Sequence, residues 1–182
     1  MKPLLNFILF QVSWFACVLG AANSLPWLGV LVTLVVVFWH LFRAKMMRPE
    51  ITLMLTVLVI GGLFDQALLS TGLLDYAHHG WNSALVPVWI LALWLAFASV
   101  LNVSLRWMRE KYLLGVLFGA IGGPLAYLGA EKLGAVTLHS LDAMLALSLG
   151  WAVITPILLL LAKRFDGFVE PHVVLASQGR AS

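Results

Sequence analysis

The chain has 182 residues, of which 62% are hydrophobic and 10% charged, with a mean hydropathy of +1.00. Soluble domains carry roughly a quarter charged residues, and a chain of this length could not hide so much apolar surface from water. The net charge of +3 sits in short clusters between apolar runs, with no basic patch interleaved with aromatics, which argues against nucleic acid and for lipid as the solvent.

A helix needs about 20 mostly apolar residues to cross the hydrocarbon core. Six stretches qualify, 4–22, 25–42, 51–70, 84–103, 112–129 and 141–162. Backbone polar groups must be satisfied internally in lipid and the alternation of a β-barrel is absent, so these are expected to be helices. The expected fold is all-α: a single six-helix transmembrane domain over 1–162, followed by a short cytoplasmic tail over 163–182.

The first stretch holds the one cysteine, Cys17, which reads as a small buried apolar residue. Lys2, the apolar run and Gly20-Ala21-Ala22 also have the form of a cleavable signal. The turn Asn23-Ser24-Leu25-Pro26 favours a helical hairpin instead, with Ser24 capping the second helix and Pro26 in its first turn. The third stretch carries Asp65, an ionisable group at membrane depth and so a functional candidate. It lies about 14 steps in, roughly 21 Å at 1.5 Å per residue. Gly61 and Gly62 one turn earlier admit a close neighbour. The loop that follows, 71–83, carries Asp75, His78, His79 and Trp81.

The fourth stretch ends in Leu101-Asn102-Val103-Ser104-Leu105-Arg106-Trp107. A continuing helix would set Asn102 and Arg106 one turn apart, where they could orient and grip a phosphate. The plainer reading is an arginine reaching for headgroups and an asparagine bonding across helices. His40, Asn6 and Gln11 could join that inner group. Trp94, deeper in the stretch, is a bundle-packing residue and a candidate for substrate contact. In the fifth stretch Gly115, Gly119 and Gly123 recur every four residues as a helix-packing stripe, and Pro124 frees a carbonyl and favours a kink. Tyr127 and Glu131 continue the stripe outward. Trp14, Trp27, Trp39, Trp81, Trp89 and Trp107 read mostly as interface anchors.

Counting basic residues sets the orientation. Lys2, Arg43, Lys45, Arg48, Arg106, Arg109, Lys111, Lys163, Arg164 and Arg180 share one side of a six-span arrangement, and Lys132 alone takes the other. Both termini are therefore expected in the cytoplasm. On this topology Asp65, Tyr127, Glu131, His78, His79, His139 and Asp142 all approach the outer face, and Asp65, Tyr127 and Glu131 are the catalytic candidates. The spacing of His78-His79 does not aim two ligands from one helix face, so no metal is assigned. No phosphate loop, nucleophile elbow or other cofactor or catalytic motif is present, so no cofactor is expected and the chain is not assigned as an enzyme.

Two segments carry a resemblance. One is Val86-Pro87-Val88-Trp89-Ile90-Leu91-Ala92-Leu93-Trp94, running into the Leu101 to Trp107 segment. The other is Gly119-Ala120-Ile121-Gly122-Gly123-Pro124-Leu125-Ala126-Tyr127-Leu128-Gly129, ending at Leu133-Gly134-Ala135-Val136. Together they resemble an uncharacterised bacterial inner-membrane family catalogued as domain of unknown function 2878, over roughly 4–161; Asp65, Leu69 and Gly72 fit its third-span pattern less distinctively. The resemblance implies a multi-pass protein of the bacterial inner membrane. It also implies, through a family association with cyclopropane-fatty-acid-synthase-like enzymes, a role around modification of membrane fatty acyl chains, with membrane lipids and lipid-modifying enzymes or other membrane subunits as partners. Two other classes stay open: a small-molecule or ion transporter using Asp65, and a non-catalytic assembly subunit built on the glycine stripe.

Overall fold

The structure is a computed structural model and describes residues 2–169. The remaining tail, with Arg180, lies outside the described residues. Six α-helices run up and down: α1 Pro3–Ala22, α2 Pro26–Arg43, α3 Met47–Ser70, α4 Val88–Leu101, α5 Tyr112–Lys132 and α6 Leu141–Arg164. Five of them are long and apolar enough to cross a membrane. Their outward residues, among them Val35, Leu63, Leu113 and Leu149, are exposed and apolar, as lipid contact requires.

The fourth helix departs from the expected 84–103. It has 14 residues, about 21 Å, short of the roughly 30 Å core. It packs against α1, α2 and α3, and 11 of its residues are buried. Wrapped in protein, it can begin and end in irregular backbone at depth. At its start Gln66 of α3 replaces helical bonding, accepting from the Val86 N–H (2.8 Å) and donating to the Ala84 carbonyl (3.0 Å). At its end the chain turns through Asn102 into a short 3₁₀ turn, Arg106–Met108.

Small residues set the close approaches. The Trp94 ring lies where a Gly61 side chain would be, and Cys17 does the same at Gly29 between α1 and α2. On α5, side chains at Gly119 and Gly123 would strike Trp151 of α6, and one at Gly115 would meet Leu159. Pro124 frees the Ala120 carbonyl, and the Ser148 hydroxyl of α6 donates to it at 2.9 Å. A side chain at Gly122 would meet only open space. Gly119→Val is expected to destabilise by about 1–3 kcal/mol through overpacking, whereas Gly122→Ala should be neutral or stabilising by up to about 1 kcal/mol. Melting temperatures of the two purified variants check this contrast.

One feature is not helical. α3 and α5 both end on a glycine in the left-handed region, Gly72 (φ 67°) and Gly134 (φ 85°). The next N–H reaches back five residues in each case, Leu73 to the Leu68 carbonyl (3.2 Å) and Ala135 to the Ala130 carbonyl (2.9 Å). Each chain is thereby sent sharply into a short strand, β1 Leu74–Tyr76 and β2 Val136–Leu138. The strands pair antiparallel with Tyr76 opposite Val136. This ladder lies across one end of the bundle, which also holds the 23–25 turn: Ser24 has a φ of 64° and bonds His78 Nε2 at 3.0 Å, so Leu25, not Ser24, is the N-cap of α2.

The opposite end gathers the start of α1, the α2–α3 and α4–α5 connections and the end of α6. Ser104 donates to the Pro3 carbonyl there (2.7 Å), and the Lys45 and Met46 N–H groups donate to the Gly167 carbonyl (2.8 and 2.9 Å). All the described basic residues except Lys132 fall on these segments, which we call the basic end.

Candidate functional site

Asp65 stands five residues before the end of α3, fully buried. Its Oδ1 accepts the Tyr76 hydroxyl of β1 at 2.5 Å and the Tyr127 hydroxyl of α5. Its Oδ2 accepts the Trp94 indole N–H of α4 at 2.5 Å. One carboxyl group thus joins four elements through three neutral donors. Burial, and then the Asp65 carboxylate, push the Tyr76 phenol well above the ordinary tyrosine range, which keeps it a donor. Trp94 is held further by stacking on Trp151 of α6 (4.8 Å, 11°), and Trp89 meets the Tyr76 ring edge-on at 5.7 Å.

In front of this cluster, between α1 and α5 and floored by α4, lies a half-open groove of about 430 Å³. Its lining is apolar and largely aromatic, with Phe10, Trp14, Trp89, Phe97 and Trp151 around it and Gly119, Gly122 and Gly123 along one wall. Gln11 and Asp65 are the polar side chains besides the indoles and Tyr127, and Lys, Arg and His do not line it. Asp65 sits in the wall with no exposed surface, its acceptors occupied by Tyr76, Tyr127 and Trp94. Chemically the groove suits hydrocarbon, and the carboxylate network fixes the shape of the wall.

Of the residues singled out from sequence, Asp65, Tyr127 and Trp94 come together. Glu131 does not join them: its Oε1 accepts the Leu138 N–H at 2.9 Å and secures β2. His139 pairs with Asp75 across the exposed ladder (2.8 Å), His79 bonds the Leu85 carbonyl (2.7 Å), and Asp142 lies in the first turn of α6. Trp89 is a fully buried core residue, donating to the Ala77 carbonyl at 3.2 Å, and not an interface anchor. Gln11 lines the groove instead of joining the inner group.

Asn102 and Arg106 belong to a second cluster at the basic end, arranged otherwise than on one helical face because α4 stops at Leu101. The Arg106 Nε donates to the Asn102 backbone carbonyl (2.9 Å), and its guanidinium pairs with Asp166 (2.8 Å). The Asn102 amide donates to Glu50 Oε1 and to the Phe165 carbonyl (2.8 Å), and its oxygen accepts from Arg109. Glu50 also accepts the Gly167 N–H (2.8 Å), with His40 Nε2 2.9 Å from its other oxygen. Arg109 completes the set on Asp166 at 2.7 Å. His40 therefore joins this group through Glu50, while Asn6 ties α1 to α4 through the Ser99 carbonyl (3.2 Å) and the Ser104 hydroxyl (2.6 Å).

Tyr76, Trp151, Glu50, Arg109 and Asp166 were not singled out from sequence. Gly72 before the Leu-Leu-Asp-Tyr run was the available signal for Tyr76, and an acid in the first turn of an apolar helix was the signal for Glu50.

A family profile matches residues 3–157, most of the chain. The chain belongs to that family. Its description is "Protein of unknown function (DUF2878)", in agreement with the resemblance carried by the two sequence segments. No curated protein matches the chain, and no solved structure does. The groove and most of the two buried clusters lie within the matched residues; Phe165, Asp166 and Gly167 fall beyond them.

Proposed function

We propose that this protein resides in the bacterial inner membrane with its basic end in the cytoplasm, where it takes one hydrocarbon chain of a membrane lipid into the groove between α1 and α5 in support of enzymes that modify membrane acyl chains. The orientation follows from the crowding of basic residues at one end. α4 serves as the bundle's core helix, completing a six-helix membrane domain. The groove carries the reading: apolar, aromatic, about 430 Å³ in volume and flanked by lipid-facing helices. Binding sites of about this volume take drug-sized apolar ligands with few polar contacts. A flux through Asp65 is less favoured, because three donors occupy it and it has no exposed surface.

Gly122 supplies the test, since a side chain there enters the groove without meeting the wall. The acyl-chain profile of a strain lacking the gene should change, and wild-type protein should restore it. Gly122→Phe, accumulating in the membrane at normal abundance, should fail to restore it. An unchanged acyl profile in the deletion strain would sink the proposal.

A further inference from the structure

The two ends of the groove differ. Near the basic end its walls are Phe7 of α1 and Phe118 of α5, 46% and 41% exposed. At the other end, past the outward-facing Leu125 (59% exposed), they are Val18, Ala130 and Val136, at most 5% exposed. There the Trp14 ring of α1 also lies 3.4 Å from where a side chain at Gly129 of α5 would begin. The groove is open toward the basic end and blind beneath the ladder. Phe7 to Val18 and Phe118 to Ala130 measure about 16–18 Å along their helices. An extended chain advances roughly 1.2 Å per bond, so about fourteen carbon–carbon bonds fill that length.

Cations flank the open end. Lys2 and Lys111 are the N-cap residues of α1 and α5, both exposed, and the Ser104 to Pro3 bond holds the start of α1 beside the segment that leads into α5. Lys111 lies over the Trp107 ring at 5.1 Å. No acid occupies the first turn of either helix. Inside the groove no Lys, Arg or His is present to receive an anion. The charge pattern therefore fits a phosphate at the mouth and hydrocarbon alone within.

We infer that the groove holds one acyl chain of an anionic phospholipid from the leaflet at the basic end, its phosphate near Lys2 and Lys111 and its methyl end against Ala130 and Val136, so that the blind end measures chain length. This rests on the chain-binding reading above and adds the headgroup, the leaflet and the length. The Asp65 network then acts as a positioning device. By fixing Tyr127, Trp94 and the ladder that carries Val136, it fixes where the chain must stop.

The test uses the full-length purified protein, incubated with vesicles of phosphatidylglycerol or phosphatidylcholine in a graded series of saturated chain lengths, with retained lipid read by native mass spectrometry. Retention should peak at about fifteen carbons. Phosphatidylglycerol should exceed phosphatidylcholine by on the order of tenfold, two lysines at about fivefold each being an upper bound. Lys2→Gln with Lys111→Gln should erase the headgroup preference and keep the length optimum. Val136→Phe should shift the optimum to shorter chains, with Ala130→Val as a milder variant should the first fail to fold. Chains retained at every length alike would overturn the measuring role and leave chain binding standing. Equal retention of the two headgroups would overturn the phosphate assignment. No retained lipid at any length, from a folded protein, would overturn both this inference and the reading beneath it.

Discussion

Asp65→Ala is expected to be the most damaging single substitution in the half of the bundle that carries the ladder, lowering stability by about 3–9 kcal/mol. The figure comes from three buried donors, Tyr76, Tyr127 and Trp94, each left without an acceptor at about 1–3 kcal/mol. The effect should be largely structural, since the carboxyl group has no exposed surface. It can be separated from simple loss of bulk. Removing donors together with their acceptor is far less costly than orphaning them, so Asp65→Leu combined with Tyr76→Phe and Tyr127→Phe should melt well above Asp65→Ala. Thermal unfolding of the purified proteins in one detergent measures both. If the triple variant is no more stable than Asp65→Ala, the hydrogen-bond account of this centre is wrong.

What could be read from the residues alone divides along physical lines. The six helices were legible because hydropathy over twenty residues is a summed signal, and helix ends such as Pro26, Gly72 and Gly134 mark themselves. The length of α4 was not legible. Its residues are as apolar as those of any span, and only its burial among α1, α2 and α3 explains why it may stop at 14 residues. Asp65, Tyr127 and Trp94 stood out separately because polar or aromatic groups at depth are conspicuous. Their meeting at one carboxyl group depended on a strand pairing between residues about sixty positions apart, for which three-residue strands leave no periodic trace. Glu131 shows the converse: depth brought it to the right end of the molecule, but the αL turn at Gly134 committed it to the Leu138 N–H. Glu50 and Asp166 escaped notice because short connections and tails read as solvated.

Glu50→Ala should have the second largest effect, about 3–5 kcal/mol, and should act at the opposite end of the molecule. Removing the shared acceptor of a buried hydrogen-bonded cluster costs this much because each group left without a partner costs about 1–3 kcal/mol. Here the orphaned groups are His40 Nε2, the Asn102 amide and the Gly167 N–H. They sit on α2, on the turn after α4 and on the segment after α6, so a single carboxylate clamps three segments spread over more than a hundred residues of sequence. Glu50→Gln keeps one acceptor oxygen and should lose less than half as much. The segment after α6 gives a local readout. Its Gly167 packs where any side chain would meet the Met46 carbonyl and Glu50, and its Asp166 is gripped by Arg106 and Arg109. Freed from Glu50, that segment should expose the peptide bond after Arg164, so trypsin should cut Glu50→Ala there faster than wild type while the membrane helices stay protected. Equal cleavage rates with an unchanged melting temperature would show that the clamp closes through Arg106, Arg109 and Asp166 without Glu50.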